Sequence, residues 1–192
     1  MSVELILLSG FLGSGKTTLL LDFLHSGGAA DTAVIVNEVG EIGIDGVIVD
    51  DGSDGKVPMM MLANGCVCCS LRSSLVFTVA AVLDTVRDPG SEPLRRIVLE
   101  TSGLSRPGPI IASLADPELS RRGLRVSVLS TYDAERGSLN VETFDEAVAQ
   151  LAAANRVVFT KVPLLNFEWV RCRFEDLIRR GQGQALPDEV NP

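Results

Sequence analysis

The 192-residue chain has little histidine, few aromatic side chains and a shortage of basic charge. It contains one His, one Trp and one Tyr, and its 17 basic residues against 25 acidic ones give a formal net charge of -8. Proteins that bind nucleic acids or anionic membranes need clustered Lys and Arg, so this balance argues against both as partners. The length is enough for one domain of ordinary size with a sizeable core.

The N-terminal apolar run is short and has no basic flank. About eight residues precede Gly10, whereas a membrane-spanning helix needs roughly 20. Glu4 follows the initial Met, and no Lys or Arg precedes the run, which is not the pattern of a signal peptide. The sequence therefore predicts a cytoplasmic protein.

Apolar β-favouring runs alternate with helical stretches, and the strands read as continuous Val/Ile/Leu runs, which is typical of a parallel sheet covered on both faces. This order predicts an α/β fold, with a mostly parallel sheet covered by helices on both faces. The expected strands are Leu5–Ser9, Thr32–Glu38, Gly46–Asp50, Pro58–Ala63, Arg96–Glu100, Leu124–Thr131 and Arg156–Lys161. The expected helices are Lys16–His25, Leu71–Val86, Pro109–Leu114, Val141–Ala154 and Phe167–Arg179.

The domain organisation follows from the same pattern. Two short strands between Glu38 and Leu71 have no helix between them, so we expect a β-hairpin insertion that carries the cysteine motif described below. Residues 1–181 are predicted to form one domain, and the polar residues 182–192 a flexible tail.

Glycines interrupt the first apolar run at a strand-to-helix junction. The stretch GFLGSGKT, residues 10–17, fits the pattern G-x-x-x-x-G-K-[ST] in the structural context that this phosphate-binding loop requires. Its glycines let successive backbone N–H groups face phosphate oxygens, Lys16 reaches the β- and γ-phosphates, and the Thr17 hydroxyl binds Mg²⁺. This motif predicts that the α/β fold is of the P-loop NTPase kind and that residues 1–181 form a nucleotide-binding domain. The predicted nucleotide-binding residues here are Gly10, Gly13, Ser14, Gly15, Lys16, Thr17 and Thr18.

A second acidic residue for the Mg²⁺ site follows a buried strand. In RRIVLETSGL, Glu100 comes directly after Ile97–Leu99, and Gly103 lies in the flexible segment beyond it. We expect Glu100 to hold Mg²⁺ or its water, and the N–H of Gly103 to contact the γ-phosphate, so that its position distinguishes triphosphate from diphosphate. Lys16, Thr17 and Glu100 are the predicted catalytic residues.

Two further motifs contain possible ligands for a second metal ion. In VNEVGEIGIDG, Glu38, Glu41 and Asp45 follow the second strand, where they either bind a metal, position the attacking water or form a solvated acidic loop. In NGCVCCS, three thiols lie within four positions, and thiolates select Zn²⁺, Cu⁺ or Fe–S chemistry. The cysteines are Cys66, Cys68 and Cys69. A redox pair and buried apolar cysteines are the alternatives.

Three thiols need a fourth ligand, which a carboxylate, His25, water or another chain could supply. His25 stands at the predicted end of the first helix, where an imidazolium suits the helix dipole, and this role is favoured over metal ligation. The remaining cysteine, Cys172, is isolated and is interpreted as structural.

Together, GFLGSGKTTLL, VNEVGEIGIDG, GCVCCS and VLETSGL resemble, in this order, the motifs of the CobW-type metallochaperone GTPases, relatives of the urease and hydrogenase nickel-insertion proteins. The resemblance implies a GTPase that couples Mg²⁺–nucleotide binding to a Zn²⁺ or Co²⁺ site at the cysteines, with Glu38 or Glu41 as further ligands. It also implies delivery to a client metalloprotein or cofactor-biosynthesis enzyme, and a nucleotide- or metal-dependent homodimer. Members of the family commonly continue into a C-terminal domain, and we expect that domain to be absent from these 192 residues.

The base-reading motif of this family, N/T-K-x-D, is only partly present. Thr160 and Lys161 fit it, but Pro163 stands where the guanine-binding Asp is expected. A proline side chain accepts no hydrogen bond, so we expect weak discrimination between bases, with ATP as an alternative to GTP. Two other functions stay open: a small-molecule phosphotransferase, for which Ser120–Arg125 is the candidate basic lid, and a non-catalytic nucleotide-gated module.

Overall fold

Six parallel strands form one sheet in the order β3-β2-β4-β1-β5-β6. The computed structural model describes residues 2–26, 29–37, 59–61, 70–85 and 93–162. The strands are β1 Val3–Gly10, β2 Thr32–Asn37, β3 Met59–Met61, β4 Arg96–Thr101, β5 Leu124–Asp133 and β6 Arg156–Thr160. The helices are α1 Lys16–His25, α2 Ser70–Asp84, α3 Pro107–Leu114, α4 Pro117–Arg121, α5 Gly137–Thr143 and α6 Asp145–Ala152.

The strand β1 lies at the centre of the sheet and is buried on both faces. Leu5 and Leu7 belong to the larger apolar core, with residues of α2, α3 and α4, whereas Leu8 packs with Leu20 of α1 on the opposite face. Since neighbouring residues of a strand point to opposite faces, an uninterrupted apolar run is what a sheet with helices on both sides requires. The expected parallel α/β fold is therefore confirmed.

The edge of the sheet next to β2 is formed by β3. Its register pairs Val34 with Met59 and Val36 with Met61, so β3 runs parallel to β2. This strand corresponds to the second of the two expected between Glu38 and Leu71. The first, Gly46–Asp50, lies outside the described residues, as do the expected helix Phe167–Arg179 and the tail, so the hairpin stays a prediction.

The single helix predicted over Val141–Ala154 is wrong. Two helices, α5 and α6, occupy this region, and Phe144 between them is extended, with φ −126° and ψ 119°. The ring of Phe144 stacks on Phe11, at 4.8 Å between centroids and an interplanar angle of 29°. The chain thus leaves the helical conformation where a side chain reaches the loop after β1. Within the described part of the chain, no helix has the length and apolar character needed to cross a bilayer.

Candidate nucleotide and metal site

The loop between β1 and α1 contains three glycines at positions where a side chain would clash or the backbone is left-handed. At Gly10 a Cβ atom would lie 2.1 Å from Thr131 Oγ1, so no side chain fits between this strand end and β5. Gly15, immediately before α1, has φ 86° and ψ 20°, the left-handed conformation that glycine adopts without steric cost. Gly13 also has a positive φ, of 69°. The loop therefore brings its backbone to the N-terminus of α1, where anions are favoured.

Lys16 is the first residue of α1, and its side chain folds back over the loop. Its Nζ donates to the carbonyl oxygens of Gly10, at 3.0 Å, and Phe11, at 3.3 Å. The residue is only 8% exposed, so the ammonium group is held beside the loop backbone. A cation in this position can contact phosphate oxygens bound by the loop.

Thr17 and Glu100, the two predicted Mg²⁺ ligands, meet directly. Thr17 Oγ1 donates to Glu100 Oε1 at 2.7 Å, although the residues belong to α1 and β4. Glu100 is 1% exposed, and a carboxylate buried this deeply is costly unless hydrogen bonds or a cation balance its charge. A hydroxyl and a carboxylate oxygen side by side are hard donors of the kind that Mg²⁺ takes together with nucleotide phosphates, so these residues fit the ion.

Residues at the ends of β5 and β6 form hydrogen bonds to the same loop from the other side. Ser14 Oγ and Thr131 Oγ1 are hydrogen-bonded at 2.6 Å, and Thr160 Oγ1 donates to the Ser14 carbonyl at 2.8 Å. Lys161 Nζ donates to the Gly13 carbonyl at 2.8 Å. Thr160 and Lys161, predicted from the base-reading motif, thus contact the phosphate-binding loop itself.

Asp133 is a site residue that the sequence analysis missed. It is 3% exposed at the end of β5, and its Oδ2 accepts from Lys161 Nζ at 2.7 Å, while its Oδ1 accepts from the N–H groups of Glu135 and Arg136. Burial acts to raise the pKa of Asp133, but the bonds from Lys161 and the two amides outweigh it and leave that pKa below its ordinary value. Its position directly after a buried strand, like that of Glu100, was the signal available.

The Asp133 contact also explains an unusual backbone. Lys161 has φ 52°, in the left-handed region that non-glycine residues rarely adopt. Its side chain is held at two points, by the Gly13 carbonyl and by the Asp133 carboxylate. Such a conformation persists when its surroundings impose it, and these two bonds do so here.

The other predicted phosphate contacts lie at the rim of the loop. Gly103 lies against the loop, since a Cβ there would be 2.7 Å from the backbone nitrogen of Leu12. Thr18 is exposed on α1, one residue beyond Thr17. The structure therefore places Gly103 beside the phosphate loop, just beyond β4, and its contact with a γ-phosphate stays a prediction.

The predicted second metal site lies outside the described residues. Glu38, Glu41, Asp45 and the three clustered cysteines lie outside them, as do Pro163 and Cys172. Among the residues that are described, no group of three or more His, Cys, Asp or Glu side chains could hold a metal ion. His25 is the last residue of α1 and is exposed, in agreement with a role at the helix end.

The proposed basic lid at Ser120–Arg125 is wrong. The N–H of Val3 donates to the Gly123 carbonyl, and Leu124 pairs with Val3, so this segment lies where β1 and β5 begin. The phosphate loop follows the other end of β1, about 23 Å away at the rise of a β-strand. Arg122 is paired with Asp84 and Glu118 rather than presented to the loop. This segment cannot close over a phosphate group bound there.

Comparison with known proteins finds relatives that are named as a zinc chaperone and as a GTPase. A zinc chaperone of Escherichia coli, YjiA, is 36% identical over 160 residues, which are 83% of this chain and 49% of the relative. A zinc-regulated GTPase metalloprotein activator of Schizosaccharomyces pombe is 27% identical over 171 residues, 86% of this chain and 40% of the relative. The chain thus spans about half the length, or less, of these relatives.

Solved structures show the same fold. The zinc-bound YjiA GTPase from E. coli matches with a TM-score of 0.65 at 28% identity, over 92% of this chain and 54% of that one. The hydrogenase maturation factor HypB from Archaeoglobus fulgidus matches in fold, with a TM-score of 0.55 at 18% identity, over 94% of this chain and 75% of that one.

A family match covers almost the whole chain. The family described as CobW/HypB/UreG, nucleotide-binding domain, matches residues 4–185, a range that holds the phosphate loop, Glu100 and the Thr160–Lys161 pair. Both the fold and the order of motifs along the strands agree with that description. The chain belongs to the CobW/HypB/UreG family of nucleotide-binding domains.

Proposed function

We propose that this protein is a GTP-hydrolysing metallochaperone that couples Mg²⁺–nucleotide binding to the binding and transfer of Zn²⁺. The observation that carries the nucleotide half is the bond of 2.7 Å between Thr17 and Glu100, because it joins a helix N-terminal hydroxyl to a buried carboxylate beside a phosphate loop. Lys16 at the same loop supplies the cation that phosphoryl transfer needs.

The chemistry divides among the residues at the strand ends. The loop amides and Lys16 bind and orient the phosphates, while Thr17 and Glu100 are the residues that would hold Mg²⁺, whose charge would offset negative charge on the phosphate oxygens. Thr160 and Lys161 hold the loop in its bound shape from β6. Without the Asp that Pro163 replaces, the base is read weakly, so ATP is a competing nucleotide.

The metal half rests on the cysteine motif and on the relatives. Cys66, Cys68 and Cys69, with Glu38 or Glu41, are the proposed Zn²⁺ ligands, and Co²⁺ is the alternative ion. Relatives named zinc chaperones and metalloprotein activators support a protein that hands the ion to a client metalloprotein or cofactor-biosynthesis enzyme, and a cytoplasmic location is part of the proposal. A nucleotide- or metal-dependent homodimer is part of the same proposal.

One of the structural neighbours determines how the metal proposal must be tested. A variant of the E. coli protein in which one glutamate and two cysteines are replaced by alanine is also described as zinc-bound, and it matches with a TM-score of 0.64 at 27% identity. Zinc bound to a protein of this family therefore need not lie at the residues replaced in that variant, so affinity and stoichiometry must be measured rather than zinc content.

The test is a Zn²⁺ titration of the reduced protein against a chromophoric chelator, with GDP and then with a non-hydrolysable GTP analogue. We expect one tight site whose affinity differs between the two nucleotides. Replacing Cys66 and Cys68 together by Ala should remove the tight site and leave nucleotide affinity unchanged, whereas Cys172→Ala is the matched control and should change neither. Tight binding that ignores the nucleotide would make the metal structural and would refute the coupling.

Turnover tests the enzymatic half and separates it from a non-catalytic module. We expect GTP hydrolysis by the wild-type protein and a loss of at least about a hundredfold in Lys16→Ala, as for removal of one charge-stabilising group. Arg95→Ala removes an exposed arginine near the beginning of β4 and should retain the wild-type rate. A wild-type protein that binds GTP but never hydrolyses it would refute the GTPase assignment.

A further inference from the structure

Gln150 is a buried polar residue of α6 that the proposed mechanism does not yet use. It is 1% exposed, and its Nε2 donates to the carbonyl oxygens of Gly103, at 2.9 Å, and Ser105, at 3.0 Å. Because a carbonyl only accepts hydrogen bonds, these two partners fix which end of the amide is the nitrogen. A buried amide is costly without such bonds, so the pair of contacts gives Gln150 one preferred orientation.

The carbonyls that Gln150 binds belong to a turn that directly follows the Glu100 strand. The N–H of Ser105 donates to the Ser102 carbonyl at 3.0 Å, which closes the turn two residues after Glu100. On its other side the turn lies against the phosphate loop, where a Cβ at Gly103 would be 2.7 Å from the Leu12 nitrogen. The turn is therefore sandwiched between the loop and α6.

The helix α6 contacts the phosphate loop as well as the turn. Phe144, immediately before α6, stacks on Phe11 of the loop at 4.8 Å between ring centroids. At the surface, Arg106 is paired with Glu146 at 3.0 Å, which adds a second contact between α6 and the chain beyond the turn. The helix α6, together with Phe144 before it, thus contacts both the phosphate loop and the Ser102–Ser105 turn, the two segments that would meet a γ-phosphate.

We propose that Gln150 is a positioning residue that sets where the Ser102–Ser105 turn lies relative to the phosphate loop, and so sets the preference for nucleoside triphosphate over diphosphate. This inference rests on the proposed function. Neither bond from Gln150 uses the N–H of Gly103, the predicted donor to the γ-phosphate. A diphosphate lacks that phosphate, so its affinity is independent of the turn.

The test compares nucleotide affinities in Gln150→Met, which has a similar length but no hydrogen-bond donor. We expect the dissociation constant for a non-hydrolysable GTP analogue with Mg²⁺ to rise about tenfold, as for the loss of hydrogen bonds to a buried pair of carbonyls, and that for GDP to change less than twofold. Glu146→Gln is the matched control, because it removes only a surface charge of α6 opposite Arg106, and both of its affinities should stay within twofold.

Equal weakening of both nucleotides would make Gln150 merely structural and would overturn the inference, as would unchanged affinity for the analogue. If Gln150→Met does not fold, Gln150→Asn keeps an amide in the helix but shortens it by one methylene, and the same selective loss is expected. Circular dichroism of each variant establishes folding before the affinities are compared.

Hydrogen exchange of the nucleotide-free protein separates this inference from the proposed function. In Gln150→Met the amides of residues 102–106 should exchange at least about tenfold faster than in the wild type, and in Glu146→Gln at the wild-type rate. Unchanged exchange would overturn the positioning role even if nucleotide binds. A wild-type protein that binds no nucleotide would instead refute the proposed function.

Discussion

Asp133 shows how a single buried carboxylate can stabilise a functional loop. Its charge is balanced by Lys161 on one oxygen and by two backbone amides on the other, and Lys161 continues to the phosphate loop through the Gly13 carbonyl. Lys161 is 44% exposed at its side chain, so solvent screens part of the attraction. The ion pair stabilises the loop position more than it stabilises the whole fold.

The stability contributed by Asp133 depends on pH in a defined direction. Its pKa in the folded protein lies below the ordinary value of 3.8, so the folded state binds the proton less readily than the unfolded chain. The contribution is therefore fully present above about pH 5 and is lost as pH falls through 3.8 towards the lower folded pKa.

Replacement of Asp133 by Asn tests this contribution, because the amide oxygen still accepts from the two backbone N–H groups while the charge is lost. We expect unfolding free energy to fall by about 1–2 kcal/mol at pH 7. The difference between variant and wild type should shrink as the pH falls below about 4. Urea unfolding of both proteins at several pH values measures this difference. A difference that grows in acid would contradict a lowered pKa of Asp133 in the folded protein.

At the scale of elements, the helix α4 contributes to the stability of the sheet and is not part of the phosphate site. Its N-cap residue Asp116 accepts from the N–H of Glu118 at 2.8 Å, and Arg122 joins it to Asp84 of α2. These contacts lie at the end of the sheet where β5 begins. The side chain of Asp84 is 68% exposed, so the pair is worth little.

Arg122→Gln is the corresponding prediction. The rate of nucleotide hydrolysis should change less than twofold, and unfolding free energy should fall by no more than about 1 kcal/mol, since both ion pairs are at the surface. Steady-state hydrolysis and urea unfolding give the two values. A large loss of rate with intact folding would return this segment to consideration as a phosphate-binding lid.

The elements that could be predicted from sequence are those with one strong local signal. Lys16–His25 is observed with the predicted bounds, and the buried strands differ by a few residues at their ends, because continuous apolar runs specify a covered parallel strand. The break at Phe144 could not be predicted, since residues on both sides favour helix. It depends on contact with Phe11, more than 130 positions earlier in the chain.

The residues of the candidate site also divide into those that a local sequence signal predicts and those that it does not. Gly10, Lys16, Thr17 and Glu100 were found because their spacing and strand context are specific to phosphate chemistry. Asp133 and Gln150 were missed because one Asp after a strand and one Gln in a helix are common. Their importance comes from partners on other elements, Lys161 and the Ser102–Ser105 turn.

At the scale of the molecule, the site uses the carboxyl ends of four strands. Gly10 ends β1, Glu100 and Thr101 end β4, Asp133 ends β5 and Thr160 ends β6. In open parallel sheets this edge is where ligands bind, at the point where the strand order reverses. A nucleotide placed there contacts segments from most of the chain, so its binding should stabilise the fold as a whole.

We expect Mg²⁺ with GDP at a hundred times its dissociation constant to raise the unfolding free energy by about 2.7 kcal/mol. Guanosine, which has no phosphate, should have little effect, and Lys16→Ala should lose most of the GDP effect at the same concentration. Thermal or urea unfolding with each ligand measures this. Equal stabilisation by guanosine and GDP would show that the ligand is held by its base and not by the phosphate loop.

The central position of β1 has a consequence for how the chain is made. This strand precedes the other described strands along the chain, yet its neighbours β4 and β5 begin at Arg96 and Leu124, roughly 90 to 120 residues later. At a synthesis rate of about 5–20 residues per second, about 5–20 s pass between the synthesis of this apolar segment and that of β4, the first strand that pairs with it. Productive folding on the ribosome therefore depends on keeping that strand from aggregating until the middle of the chain arrives.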